Sequence, residues 1–580
     1  MPLQDLIHHW DVGAGSRFIR RVAAVLGFIA IAGLYNMLAY QGFTSEEAMD
    51  SAQLARNISV GRGFTTKTIR PAATHLLGDK ASSAAMPDIT NPPAYPYVLA
   101  GLMKVVPMQF NAKQYWSYSP ERVIAIFNQA LFFVAIVLLF RLARRLFDDR
   151  VAWLSALLFG GTSLYWRFSV SGLSTIFVIV VLLAMVGCLV RIAAETENEP
   201  VSAKWSALAG ALVGVGGLGR YAIGWMIVPV VIFLATGLRG TRGKHCAMAT
   251  LCFLVVFGPW VGRNFVLTST PFGTASYDLF QGTQPLMEDT LERSLNPTPE
   301  IRRVETMDVF DKLLENGGEI LRTDLPKFGG NWLSAFFLVG LLISFQSPAR
   351  SRIRWFLAGS IVLLFIVQAL GKTHLSQDSP EINSENILAI LAPLTFLYGA
   401  ALFYTLVDQL NVSMETSGAI TGFFLMLLSA PLLVSFLIGT TPELNSPYSP
   451  LHIQKVAQLM GKDELIMSDI PAAVAWYGDR ACSWLTLDDS RDFLKINVLR
   501  PIHAVFLTQR TSNGRLLSQM SQSPNSWGQL YLRCEAHLEV EGHGEVPSGF
   551  PLKQAPKGFL PDQLLLSDRA RWGVAQPGEK

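Results

Sequence analysis

The chain is 580 residues long, with 50% hydrophobic and only 16% charged residues. Soluble globular chains carry about 25% charged residues, so the deficit points to lipid around much of the surface. A formal net charge of +3 is too close to neutral for a nucleic-acid-binding protein. The five cysteines show no metal-binding spacing. Cys188, Cys246 and Cys252 lie in apolar runs and read as packing, whereas Cys482 and Cys534 lie in the polar tail and are able to pair if it meets an oxidising compartment.

A helix needs about 20 apolar residues to cross the hydrocarbon of a bilayer, and the apolar runs predict about eleven such spans. They fall near 18–40, 123–142, 151–168, 175–192, 205–218, 222–238, 247–266, 332–345, 353–370, 387–406 and 420–438. The fold class expected is therefore an all-helical, polytopic membrane protein. The first run follows Arg17, Arg20 and Arg21, is too long for a signal-peptide core and has no small-residue cleavage site behind it. It reads as a retained anchor. Arg141, Arg144, Arg145 and Arg150 share one short loop, Arg239, Arg242 and Lys244 another, and Arg350, Arg352 and Arg354 a third. All fall on the same side as the N-terminal arginines, which makes that side cytoplasmic and implies a multi-pass protein of the plasma (inner) membrane.

Three segments then lie outside: 41–121, 267–331 and everything after Gly439. Residues 1–440 form the expected membrane domain with its two external loops, and 441–580 an external soluble domain. In that tail, 465–468, 482–487 and 503–508 read as short strands with helical stretches such as 472–476 between them, the pattern of a small α/β domain. Neither an internal repeat nor a low-complexity run is present.

Four basic residues break the charge asymmetry by falling at outward ends of spans: Arg167, Arg220, Arg263 and Lys372. A charge near the bilayer interior costs about 2.5–3.5 kcal/mol, so such residues mark polar cavities and function, unless they snorkel to the headgroups. For Arg167 and Lys372 both readings stand. Arg220, in a tight turn, and Arg263, followed by Asn264, read as anion-binding. In the first external loop, Thr44-Ser45-Glu46-Glu47 opens a helix that stops at Gly61-Arg62-Gly63. Helical spacing puts Glu46, Asp50, Gln53 and Asn57 on one face and Ala48, Ala52 and Ala55 on another. This predicts an amphipathic helix on the membrane surface with its acids at the mouth of a span. The competing reading is a capping box between Thr44 and Glu47. Asp88, ahead of Pro92-Pro93, suits a cap, a metal ligand or a substrate contact.

These pieces resemble the GT-C membrane glycosyltransferases, most closely the protein O-mannosyltransferase and aminoarabinose-transferase-like group of glycosyltransferase family 39 and its relatives. The resemblance rests on Glu46-Glu47-Ala48-Met49-Asp50 through Ala55-Arg56-Asn57 and Gly61-Arg62-Gly63, on Pro92-Pro93-Ala94-Tyr95-Pro96, on Arg220-Tyr221 and on Pro259-Trp260 with Arg263-Asn264. Ser468-Asp469-Ile470-Pro471 and Trp476-Tyr477-Gly478-Asp479-Arg480 in the tail also fit. The order of these motifs spans nearly the whole chain. There are departures: Glu stands where the family usually has Asp, Gly172-Leu173-Ser174 occupies the region of a second acid, and Glu385-Asn386 replaces a basic residue.

The resemblance implies transfer of a sugar from a polyprenyl-phosphate donor to an acceptor hydroxyl on a glycan, lipid or protein at the outer face, with inversion. Glu47 or Glu46 would take the acceptor proton. Arg220 and Arg263, with Tyr221 and Asn264, would hold the donor phosphate, and Asp50, Arg56, Asp88, Trp260 and Lys372 are further substrate-binding candidates. A divalent metal bridging acid and phosphate is compatible with this chemistry. The alternative is a transporter or flippase of lipid-linked sugars, which would show repeat symmetry and broken helices midway through the bilayer; the sequence reveals neither.

Overall fold

The structure is a computed structural model that describes residues 14–82, 86–113, 117–195, 202–238, 240–328, 333–343, 347–373, 375, 382–438, 448–512, 526–541, 550–556 and 563–572. Seven of the described helices are long and apolar enough to cross a membrane: Arg21–Leu38, Ser119–Leu146, Thr175–Glu195, Arg242–Thr268, Pro348–Gly371, Leu388–Gln409 and Met414–Ile438. Their outward faces are apolar as well. Leu26, Ile29, Leu254, Val255, Val266, Val362, Phe423 and Leu437 are all exposed, a surface that water would penalise and lipid would cover.

The other predicted spans fall on shorter pieces. The run 151–168 is two helices, Asp149–Gly161 and Ser163–Val170. Thr162 between them is extended, and the Gly160 carbonyl freed by the break accepts from Trp166 Nε1 at 2.7 Å. The run 222–238 begins as a 3-10 turn, Tyr221–Met226, and continues as the helix Ile227–Gly237. Helices therefore do break within predicted spans, contrary to the sequence expectation. Of 332–345, the described helix is Ser334–Gly340; Trp332 and Phe345, like Arg239 in the positive loop, lie outside the described residues.

The helix Ala203–Gly219 packs tightly on Arg242–Thr268. A Cβ at Gly210 would lie 2.0 Å from the Ala249 carbonyl oxygen, so only glycine permits this approach, the small-residue contact that membrane helices use in place of a hydrophobic driving force. This contact sets the height of Arg220, which caps the first of the two helices.

The expected α/β unit is present, but the tail does not build it alone. Its five strands are β1 (Thr68–Ile69), β2 (Leu465–Ser468), β3 (Cys482–Trp484), β4 (Ile502–Leu507) and β5 (Leu564–Ser567), in the order β1-β3-β2-β4-β5. The first four run parallel and β5 is antiparallel to β4. The edge strand β1 comes from the loop after the first span, too short to be read from sequence. Alternation along the strands sends Ile466, Ala504, Phe506 and Leu565 to a core shared with the membrane helices. Leu465, Met467, Val505, Leu507 and Leu566 turn to a second core with Ile69, Ala73, Ile89 and Phe493. Cys482 and Cys534 are both buried and unbridged.

Candidate active site

A cavity of about 1110 Å³ opens where one end of the membrane helices meets the segments 41–121 and 267–331 and the sheet, and Glu46, Glu47, Arg220, Tyr221, Ser384 and Arg510 are among its walls. The two acids come from the helix Glu46–Ser59. That helix does not lie on a surface. Ala48, Met49, Asp50, Ala52, Gln53, Leu54, Ala55 and Asn57 are all buried, because it is held between the helices Ala94–Val105 and Pro471–Gly478. Its polar stripe is structural below the first turn. Gln53 Oε1 accepts from the Lys67 amide at 3.0 Å and Asn57 Nδ2 donates to the Thr65 carbonyl at 2.8 Å. The expected surface helix is thus a buried one, its polar face bonded to the loop that leads into β1.

The capping-box reading fails at the same place. The N-cap is Ser45, whose hydroxyl accepts from the Ala48 amide. Glu47 reaches instead across the cavity. Its Oε2 accepts from the Ser384 amide at 3.1 Å, and its Oε1 accepts from the Ser384 hydroxyl. The Ser384 carbonyl in turn accepts from Arg220 Nη1 at 2.6 Å. Arg220 is 6% exposed; its Nη2 donates to Thr175 Oγ1 at 2.6 Å and its Nε to Ser174 Oγ at 3.4 Å. A guanidinium has five N–H groups, so two remain beyond these three bonds. In the region of the second family acid stands Ser174, and Arg220 keeps a charge that a carboxylate there would have cancelled.

Glu46 points elsewhere. It is ion-paired with Arg510 from the end of β4 and accepts weakly from the Ala472 amide. Arg510 also donates to Tyr448 Oη at 3.2 Å. The two adjacent glutamates are therefore separated by environment: one is neutralised by the tail, the other faces the serine and arginine of the membrane helices.

In the cavity wall Asn91 ties several candidates together. Its Nδ2 donates to Asp50 Oδ2 at 2.8 Å and Asp88 Oδ2 at 3.2 Å, and its carbonyl accepts from Tyr221 Oη at 3.4 Å. Trp260 Nε1 and Asn264 Nδ2 also donate to that phenol oxygen, at 3.0 and 3.5 Å. Asp50 receives both Nη groups of Arg70 at 3.0 Å. Asp88 accepts from the amides of Thr90 and Asn91, and burial, then repulsion from Asp50, pushes its carboxyl up to about 6. Arg263 donates to the Asp88 carbonyl and to Asn264 Oδ1, both at 2.8 Å, and lies over the Trp260 ring at 4.4 Å.

Of the predicted residues, Glu46, Glu47, Arg220 and Tyr221 line the cavity, whereas Arg263, Asn264, Trp260, Asp50 and Asp88 form the shell behind it. Two others stand apart. Arg56 pairs with Asp479 at 3.3 Å and stacks on Phe110. Lys372 is buried and pairs with Glu319 at 2.8 Å, so it does not snorkel. Sequence reasoning missed Ser384, Arg70 and Arg510, whose partners lie 20 to 464 residues away. It also missed Asp278, a cavity residue whose carboxyl is driven up by burial and by Glu292 and Glu385. Among the described residues, no group of three or more His, Cys, Asp or Glu side chains is arranged to hold a metal ion.

Residues 90–262, which carry Asn91, Arg220 and Trp260, match the family model described as dolichyl-phosphate-mannose-protein mannosyltransferase. No curated protein matches the chain by sequence. Among solved structures, it is similar to ArnT from Cupriavidus metallidurans bound to undecaprenyl phosphate, at a TM-score of 0.53 and 10% identity over 94% of this chain and 98% of that one. The apo state of the same protein gives 0.51 and 11%, over 96% of this chain and all of that one. Archaeal oligosaccharyltransferase AglB from Archaeoglobus fulgidus, in complex with an inhibitory peptide and a dolichol-phosphate, gives 0.53 and 12%, over 84% and 70%. At these identities the likeness is one of architecture, and it agrees with the motifs read from the sequence: the chain has the GT-C fold of membrane glycosyltransferases.

Proposed function

We propose that this protein is a glycosyltransferase that moves a sugar from a polyprenyl-phosphate donor to an acceptor hydroxyl at the outer face of the membrane. The observation that carries the reading is the line Glu47–Ser384–Arg220 on one cavity wall. It sets a carboxylate and a buried guanidinium side by side, joined through one serine, in the wall of a cavity of about 1110 Å³. Solved structures of the same fold hold dolichol-phosphate and undecaprenyl phosphate, ligands of the chemistry this line would serve.

The division of labour follows from charge. A polyprenyl phosphate departs as an anion and needs positive charge at its oxygens rather than a proton. Arg220 supplies two unused N–H donors in a fixed fork. The acceptor hydroxyl loses a proton as it attacks, and Glu47 takes it. Each Glu47 oxygen has one lone pair committed to Ser384 and one remaining for the acceptor. An in-line attack, opposite the departing phosphate, would invert the anomeric carbon, as the family resemblance implies. Arg263, Asn264, Trp260, Asp50 and Asp88 act through Asn91 and Tyr221 as positioning residues. The test is direct: purified protein is incubated with a panel of radiolabelled polyprenyl-phosphate sugars and membrane extracts. Transfer of label to an acceptor supports the reading, and no transfer from any donor, or equal transfer by Glu47→Gln, refutes it.

A further inference from the structure

The four parallel strands all end at the cavity. Beyond the carboxyl end of β1 stands Arg70, beyond β2 Asp469 and beyond β4 Arg510 and Thr511, while β3 ends in Trp484; all five line the space. Strand order adds a second fact. The chain leaves β2 for β3 on one side and then crosses to β4 on the other, so β2 and β4 flank the point where the winding reverses. In open parallel sheets the crevice at that point, outside the carboxyl ends, is where ligands bind. Asp469 joins its two sides. Its Oδ2 accepts from the amides and hydroxyls of Thr508 and Thr511 at 2.8 to 3.2 Å, tying the ends of β2 and β4 together by a charge-assisted brace.

Beside the crevice, at the β1 and β3 ends of the sheet, the cavity wall has unmet hydrogen-bonding capacity. Thr68, in β1, lines the cavity and is 2% exposed. Its hydroxyl has no hydrogen-bond partner in the protein, while the Nε of Arg70, two residues on, lies 3.8 Å from Glu292 Oε2. A buried polar group without a partner costs about 1–3 kcal/mol, so such atoms in the wall of a cavity are positions a ligand would satisfy. The charges around them indicate the kind of ligand. Arg510 is paired with Glu46, Arg293 with Asp289 and Arg70 with both Asp50 and Glu292. Glu288 and Asp278 add further acid to the same walls. An anionic group entering here would meet arginines already neutralised by carboxylates. A neutral molecule rich in hydroxyls would meet the unpartnered hydroxyl of Thr68 and the indole of Trp484.

We infer that the carboxyl-end crevice of the sheet is the acceptor subsite, and that it takes an uncharged, polyhydroxylated acceptor, a carbohydrate, rather than a phosphorylated one. The inference rests on the transferase reading, and it assigns opposite tasks to the two sides of the cavity: Arg220 meets the phosphate and the sheet meets the sugar acceptor. The full chain in lipid nanodiscs is to be examined by saturation-transfer NMR against neutral methyl glycosides and disaccharides and against the corresponding sugar 6-phosphates. At least one neutral glycoside should bind, with millimolar affinity, and more tightly than its phosphate. Thr68→Val, which keeps shape and removes only the hydroxyl, and Trp484→Leu should each weaken that binding about five- to tenfold. Undecaprenyl phosphate binding, followed on the same samples by native mass spectrometry, should be unchanged. Phosphates binding as well as neutral sugars, no glycoside binding at all, or neutral binding indifferent to both variants would each overturn the assignment. Loss of undecaprenyl phosphate binding in the parent protein would instead count against the transferase reading itself.

Discussion

Glutamine at position 47 is able to accept from the Ser384 amide with its oxygen and to donate its NH2 to the Ser384 hydroxyl, but takes up no proton at neutral pH. Glu47→Gln should therefore lower turnover about a hundredfold to ten-thousandfold, with folding and undecaprenyl phosphate binding retained. Glu46→Gln breaks only a part-exposed pair with Arg510, an interaction of the class worth about 1 kcal/mol or less, and should keep most activity. Near-parental turnover in Glu47→Gln would move the base elsewhere. Arg220→Ala should weaken donor binding, and Arg220→Lys should restore part of it, because the charge returns without the fork; an Ala variant that binds like the parent removes Arg220 from the phosphate site. Asp88 gives a pH signature. Its folded-state value of about 6 lies above the ordinary 3.8, so the folded protein holds that proton more tightly than the unfolded chain. The stability this confers is complete below about pH 4 and lost as pH rises through 6, by about 3 kcal/mol. The slope of melting temperature between pH 4 and 7 should flatten in Asp88→Asn; an unchanged slope would show that another group titrates. At this scale the sequence singled out Glu47 and Arg220, which the fold brings to one cavity wall. It was silent on Ser384, because a serine in a polar loop carries no mark of a carboxylate 337 residues away.

Elements were more legible than residues, since helix and strand periods are local. The strand 465–468 and the apolar spans could be read from windows of their own residues. The environment of the acidic helix could not: its small and polar faces fit a membrane surface as well as the buried slot it occupies. What packs against a helix is written in other segments. The same holds for the helix Ala203–Gly219, whose glycines read as a span and not as a contact. Gly210→Val would press its side chain onto the Ala249 backbone, an overpacking that typically costs about 1–3 kcal/mol. A lower melting temperature is expected, together with weaker donor binding, because the displaced helix ends in Arg220. Were stability lost while donor affinity stayed intact, the helix would not be what sets the arginine's height.

For the whole molecule, the charge asymmetry predicts cytoplasmic loops at the Arg144 and Gly240 level and an external tail. Reporter fusions at Gly240 and after Lys580 should give opposite signals; equal signals would undo the grouping of acid, arginine and sheet at one face. That grouping was the least visible feature in the sequence, because the sheet and the first loop looked like neighbours only in topology. Their union at β1 has a consequence in time. Lys67, one residue before β1, bonds Asp479 across 412 residues of chain. At roughly 5–20 residues per second, the ribosome needs about 20–80 seconds to make the segment that completes this loop. Throughout that interval the first loop has its edge unpaired and its half of the cavity unformed. On the proposed topology it would wait beyond the membrane, and a chain interrupted anywhere before Asp479 should leave it open to proteases.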